Sequence, residues 1–169
     1  MADQKQVNPD VAEFEDPLCN YEPAKFDDAI AQALAERPVA DIQIHPYSQV
    51  TSRTTVRRAM QALSGLRISS LLVIDHDKLT GVFTERDVLE RVADRFEELC
   101  DRPISEVMTT NPVVVRDTDP LGAALAAIVA GGYRHVPVIN WDDKVVGIVS
   151  PRRVVSALSG VITPSESGG

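Results

Sequence analysis

The 169-residue sequence predicts a mixed α/β (α+β) fold in which two β-α-β-β-α repeats pack as a pseudo-twofold pair behind an N-terminal arm and helix. Three observations carry that expectation. The chain repeats itself: Arg37-Pro38-Val39 recurs as Arg102-Pro103-Ile104, Val50 as Val115, Ala59 as Ala124 and Val73-Ile74 as Val138-Ile139, an offset of 65 residues. One residue more in a turn, and Gly81-Val82-Phe83-Thr84-Glu85-Arg86-Asp87-Val88 recurs as Gly147-Ile148-Val149-Ser150-Pro151-Arg152-Arg153-Val154. Each copy also carries the same order of strand and helix signals, and a copy of roughly 60 residues is too small to bury an adequate core alone.

The elements follow in order. Residues 1 to about 22 are rich in acids and carry Pro9 and Pro17, a composition that disfavours ordering and predicts a mobile or loosely docked arm. Phe26, Ile30, Ala33 and Leu34 fall on one side of a helix that ends before Pro38, because the residue before proline avoids the helical region. In the first repeat a short strand around Gln49 to Thr51 precedes a helix capped by Thr54, running to Leu63 and stopped by Gly65. In the second, Val113 to Arg116 precedes a helix opened by Asp119-Pro120 and closed by Gly131-Gly132. A hairpin comes next: Ser70–Ile74 into Leu79–Thr84, and His135–Ile139 into Lys144–Ser150. The closing helices are Glu85 to about Leu99 and Pro151 to about Leu158. The expected divisions are residues 1–37 for the arm and short helix, 38–100 and 101–160 for the repeats, and 161–169 for a disordered tail. With helices on one face of each three-stranded sheet, Val73, Val82, Val138 and Ile148 are expected to supply the open face on which the repeats meet.

Composition narrows the function. Residues 1–30 hold eight acids against two lysines and account for most of the net charge of −8. An acidic chain without dense basic clusters is a poor ligand for nucleic acid or an anionic membrane. No apolar run approaches the roughly 18 residues of a membrane span, and the polar start shows no apolar leader, so the cytoplasm is the expected location. Cys19 and Cys100 are lone thiols expected to be reduced, and His45, His76 and His135 are too dispersed to make a metal site. No nucleophile–base pair, metal set or G-x-x-x-x-G-K loop is present, which argues against an enzyme.

The chemistry concentrates where strand meets helix. Thr84 and Asp87, three residues apart at a helix start, put a hydroxyl and a carboxylate on one face beside free backbone N–H groups. That set suits vicinal hydroxyls and a negative charge, as in a ribose phosphate. The same pair is also a common capping pattern, and the residues alone leave both readings open.

The β-α-β-β-α repeat, the segment GYRHVPVIN and the motifs GVFTERDV and GIVSPRRV together resemble a tandem CBS-domain pair, or Bateman module, over about residues 38–160. The resemblance implies an adenine nucleotide (AMP, ADP or ATP) in a cleft between the repeats, no catalytic cofactor, a homodimer and an unidentified regulated protein partner. It implies that Asp87 grips the ribose hydroxyls, that Thr84 reaches ribose or phosphate, and that Val82 flanks the adenine. Arg134 and Arg152 match positions that present cations to phosphates. Arg153 stands where the second ribose carboxylate belongs; a cation cannot accept two hydroxyl donors, so the expectation is one working site and one degenerate one, with Arg153 either a surface arginine or a further anion contact of the working cleft. A stand-alone regulatory module is thus expected. The alternatives are a structural or dimerising module with empty clefts, or a module for S-adenosylmethionine. Leu89, Val92 and Val155 are the apolar helix positions that motivate the dimer.

Overall fold

A computed structural model of the chain describes residues 26–162, so the acidic arm, Cys19 and the end of the tail lie outside it. Helix α1 (Ala29–Glu36) is capped by Asp28, whose carboxylate accepts from the Ala31 N–H at 2.7 Å. The first repeat runs β1 (Gln49–Val50), α2 (Val56–Leu66), β2 (Ser70–Asp75), β3 (Lys78–Thr84), α3 (Glu85–Asp87) and α4 (Phe96–Leu99). The second follows β4 (Thr109–Thr110) and runs β5 (Val115–Arg116), α5 (Leu121–Gly131), β6 (Val136–Ile139), β7 (Val145–Val149) and α6 (Pro151–Ile162). In each, a short strand pairs parallel with the first hairpin strand and the hairpin is antiparallel. This is the predicted order, read twice.

Several boundaries differ from expectation for identifiable reasons. Thr55, not Thr54, caps α2, accepting from the Arg58 N–H, and the helix passes through Gly65 to end on Arg67 in the left-handed conformation (φ 54°). The expected single helix from Glu85 is interrupted: a π-helical turn at Val88–Val92 and a 3-10 turn at Ala93–Arg95 separate α3 from α4. Helix α6 continues to Ile162, into the stretch assigned to the tail.

The larger difference concerns the sheets. The first sheet has four strands, in order β1-β2-β3-β4, the second has three. Strand β4 belongs by sequence to the second repeat but pairs with β3 of the first, Gly81 opposite Thr110 and Val82 opposite Thr109. The exchange is reciprocal. Ahead of β1, the chain crosses to the second repeat, where Ile44 O accepts from the Ile148 N–H at 2.9 Å and Val39 N donates to Asp119 O at 2.9 Å. Ahead of β5, Ile104 N donates to Thr54 O at 2.8 Å and Val56 N to Arg102 O at 2.9 Å. The helix-side cores are correspondingly interleaved: Val39 and Ile42 are buried with Leu121, Ala124 and Val138, while Ile104, Val107 and Met108 are buried with Val56, Ala59 and Phe83. The segments just after residues 38 and 101 therefore pack into the core of the other repeat.

The crossing segments explain a feature of both motifs. A Cβ on Gly81 would lie 2.7 Å from Met108 Sδ and 2.8 Å from Thr109 O, and one on Gly147 would lie 2.5 Å from Ile44 Cβ. The two glycines occupy equivalent repeat positions and admit the strand from the other repeat.

The pleat also sorts the apolar strand residues differently from expectation. Residues directly opposite share a face. Leu71 and Val73 lie opposite Phe83 and Gly81, and Val136 and Val138 opposite Val149 and Gly147; these side chains form the helix-side cores. Val73 and Val138 are thus not on the open face. Leu72 with Val82, and Pro137 with Ile148, take the other side, where Leu72 and Ile148 are buried outside either helix-side cluster. Val92 is fully buried as well, which removes it from the expected dimer surface and leaves Leu89 and Val155 exposed. Helix α1 packs on α5 and α6, with Leu34 against the second core. Among the described residues no helix is long and apolar enough to cross a membrane, and no group of three or more His, Cys, Asp or Glu is placed to hold a metal.

Candidate functional site

A cleft of about 480 Å³ opens where the ends of the two hairpins approach one another. The first repeat lines it with Ser69 and Ser70 at the start of β2, Val82 and Thr84 on β3, and Glu85 to Asp87 beyond it. The second repeat contributes Tyr133, Arg134 and His135 from the turn leading into β6, with Ile148 of β7. Thr109 and Val113 come from the crossing segment and its continuation. Apolar walls from Val82 and Ile148 thus stand beside polar groups drawn from both repeats, a lining suited to a small molecule with a flat apolar part and a polar part.

Thr84 and Asp87 are held by local hydrogen bonding. Thr84 ends β3 in an extended conformation (φ −127°, ψ 166°), and its hydroxyl accepts from the Asp87 N–H while the Asp87 carboxylate accepts from the Thr84 N–H at 2.8 Å. This is a reciprocal capping box. The Thr84 hydroxyl also donates to Asp87 Oδ2 at 2.7 Å. The other carboxylate oxygen, Oδ1, accepts from Thr109 Oγ1 at 2.9 Å and lies 3.2 Å from Arg91 Nη1. Asp87 is 4% exposed, so a buried carboxylate at the floor of the cleft is fully partnered. Two of its four partners are hydroxyls, which rotate freely and can be exchanged for other hydroxyl donors.

The cations are placed unequally. Arg134 lines the cleft. Arg152 is exposed near the start of α6 and is not among the cleft-lining residues. Arg153, expected as a further contact in the cleft, instead donates to the backbone carbonyls of Ile148 and Pro46, the latter at 2.8 Å. Its guanidinium ties the crossing segment of the first repeat to β7, and that is what the second motif gains by carrying an arginine in place of the aspartate. Asp87 and Arg153 do equivalent jobs with opposite charge: each reaches the segment arriving from the other repeat, one accepting a Thr109 hydroxyl, the other donating to a Pro46 carbonyl. Arg91 donates to the carbonyls of Val107 and Met108 at 2.9 and 2.8 Å, so it too is committed to the crossing segment.

Four cleft residues had no signal strong enough to be singled out. Thr109 reaches Asp87 only because β4 is exchanged; Arg91 reaches it from one helical turn on and is fixed there by the crossing-segment carbonyls, while Glu85 and His135 line the cleft from different repeats. Burial holds the His135 imidazole below its ordinary pKa, and the positive charges of Arg153 and Arg134 act in the same direction, opposed by Glu85.

Comparison with known proteins agrees with this architecture. The family model described as CBS domain matches residues 39–94 and again 104–160. Among curated relatives, CBS domain-containing protein CBSCBSPB1 of Arabidopsis thaliana is 27% identical over 134 residues, 79% of this chain but 25% of the relative. An uncharacterized 17.7 kDa protein of Acidianus ambivalens is 31% identical over 68% of both chains. The chain spans a quarter or less of the length of the Arabidopsis relatives CBSCBSPB1, CBSCBSPB5 and CBSCBSPB4. Among solved structures, CBSX2 in complex with AMP superposes with a TM-score of 0.63 at 26% identity, covering 75% of this chain and 98% of that one. The CBS domain pair of MJ0100, in complex with 5′-methylthioadenosine and S-adenosyl-L-methionine, superposes with a TM-score of 0.63 at 27% identity over 75% of this chain and 98% of its own. With the motif repeated in register, the reciprocal exchange of leading segments and a family match over both halves, this chain belongs to the CBS domain family, as two CBS domains in tandem.

Proposed function

We propose that the chain is a regulatory module that binds an adenine nucleotide in the cleft between its repeats and passes the occupancy to a protein partner. The observation that carries this is the convergence in one cleft of a buried Asp87 with exchangeable hydroxyl partners and, from the opposite repeat, Arg134, whose side chain has no hydrogen bond or ion pair among the described residues. In this reading the ribose 2′ and 3′ hydroxyls replace the Thr84 and Thr109 hydroxyls on the Asp87 carboxylate. The exchange keeps the buried charge hydrogen-bonded throughout. Val82 and Ile148 flank the base, and Arg134 takes a phosphate through charge-assisted contacts. Arg152 and Arg153 are left out of the ligand contacts, since one is exposed away from the cleft and the other is bound to two carbonyls. The complex of CBSX2 with AMP supports a nucleotide ligand. The MJ0100 complex supports S-adenosylmethionine as the second reading.

Calorimetry with AMP, ADP, ATP and S-adenosylmethionine, paired with thermal melts, tests the reading. A nucleotide at 100 times its dissociation constant should stabilise the fold by roughly 2.7 kcal/mol. The expected stoichiometry is one per chain, because Arg153 occupies the second motif. Silence toward every nucleotide at millimolar concentration would leave a structural module; a response to S-adenosylmethionine alone would transfer the cleft to that ligand.

A further inference from the structure

Of the six Asp, Glu and Arg residues that line the cleft, four have an ion-pair partner. Arg91 is bound to two carbonyls and to Asp87, and Arg86 lies 4.0 Å from Glu90. Among the described lining residues, the charged groups without a hydrogen bond or ion pair from their side chains are Arg134 on one side and Glu85 on the other. His135 beside them is held toward its neutral form by burial and by Arg153 and Arg134, with Glu85 opposing. Among the described residues the cleft therefore offers one free guanidinium and one free carboxylate, on opposite repeats.

We infer that Glu85 is a specificity residue whose carboxylate, set across the cleft from Arg134, limits the anionic ligand to a single phosphate. This rests on the nucleotide reading above and adds to it a ranking of ligands. A monophosphate carries about −1.5 to −2 charges near neutral pH, and one guanidinium fork engages two of its oxygens. Each further phosphate brings more negative charge, and the other described arginines of the cleft, Arg86 and Arg91, already have an acidic partner. The added charge meets Glu85 instead. Because Glu85 is exposed, a repulsion between unit charges a few ångströms apart is screened nearly as in bulk water and corresponds to roughly a tenfold loss in affinity. Glu85 is exposed and its side chain supports no hydrogen bond in the fold, so its removal tests the charge without disturbing the core.

Calorimetry on the full chain with adenosine, AMP and ATP, for wild type, Glu85→Gln and Arg134→Gln, reads this out. Wild type should bind AMP about tenfold or more tighter than ATP. Glu85→Gln should narrow that ratio at least about threefold, by strengthening ATP, with adenosine affinity unchanged as the control for an intact cleft. Arg134→Gln should bring AMP down toward adenosine. Equal binding of ATP and AMP by wild type, or an ATP-to-AMP ratio unmoved by Glu85→Gln, overturns the role of Glu85 alone. Absence of binding by adenosine and both nucleotides overturns the nucleotide reading together with it.

Discussion

Replacing Asp87 by alanine tests the centre of the site, because the same carboxylate holds the fold and, in the proposed function, the ligand. Its removal leaves the Thr84 N–H and hydroxyl without their 2.8 and 2.7 Å acceptor, dismantling the capping box at the start of α3. Loss of an N-terminal cap typically costs about 0.5–2 kcal/mol. The Thr109 hydroxyl loses a charged acceptor at 2.9 Å, an interaction worth about 1.5–3 kcal/mol. The Arg91 ion pair adds little, roughly 0–1 kcal/mol, because the arginine side chain is 43% exposed and keeps two carbonyl acceptors. Together the loss comes to about 2–6 kcal/mol, which for a chain of this size lowers Tm on the order of 10 °C. Scanning calorimetry without ligand measures that part. Binding is measured separately, well below the lowered melt, where AMP affinity should fall at least about tenfold as two hydrogen bonds to a charged group are lost. Thr109→Val separates the two jobs: it removes a donor from the fold yet keeps the carboxylate, so Tm should drop by several degrees while AMP affinity stays within about threefold of wild type. A Tm for Asp87→Ala within about 3 °C of wild type would refute the structural half of this reasoning. Undiminished AMP affinity would refute the ribose grip.

Two further outcomes are expected. Because His135 is held below its ordinary pKa of 6.5, the unfolded chain binds more protons than the folded one as pH falls below that value; its contribution to stability is present above 6.5 and is lost toward the lowered folded pKa. Melts between pH 5 and 7.5 should therefore show an acid-side slope that His135→Gln flattens, and an unchanged slope would show that other groups carry it. The proposed homodimer follows from the exposed apolar side chains of Leu89 and Val155, 74% and 62% exposed on the closing helices. Sedimentation at micromolar concentration should give twice the chain mass, and a species near 18.4 kDa would exclude the dimer.

What the sequence determines by itself is local and periodic. Strand and helix order could be read from the spacing of Val73, Phe83, Ala59 and their copies, since amphipathic periodicity is a property of a short stretch. The tandem repeat identified the architecture, and the pairing of Thr84 with Asp87 located the cleft because three residues at a helix start lie within one turn. The interruption after Asp87 was not legible in the same way: Val88, Leu89 and Val92 keep helical spacing, and only burial of Val92 in the core accompanies the π-turn. The remainder was decided between residues far apart in the chain. Nothing in the local pattern of Thr109-Thr110 distinguishes a strand of its own repeat from one added to the other sheet; the choice follows from the space left at Gly81 and the burial of Ile104, Val107 and Met108 beside Val56. Arg153 reads alone as a cation available to a phosphate. Its guanidinium finds the carbonyl of Pro46, 107 residues earlier, because the exchange of leading segments brings that carbonyl to it, and a contact of that separation leaves no trace in the spacing of neighbouring residues.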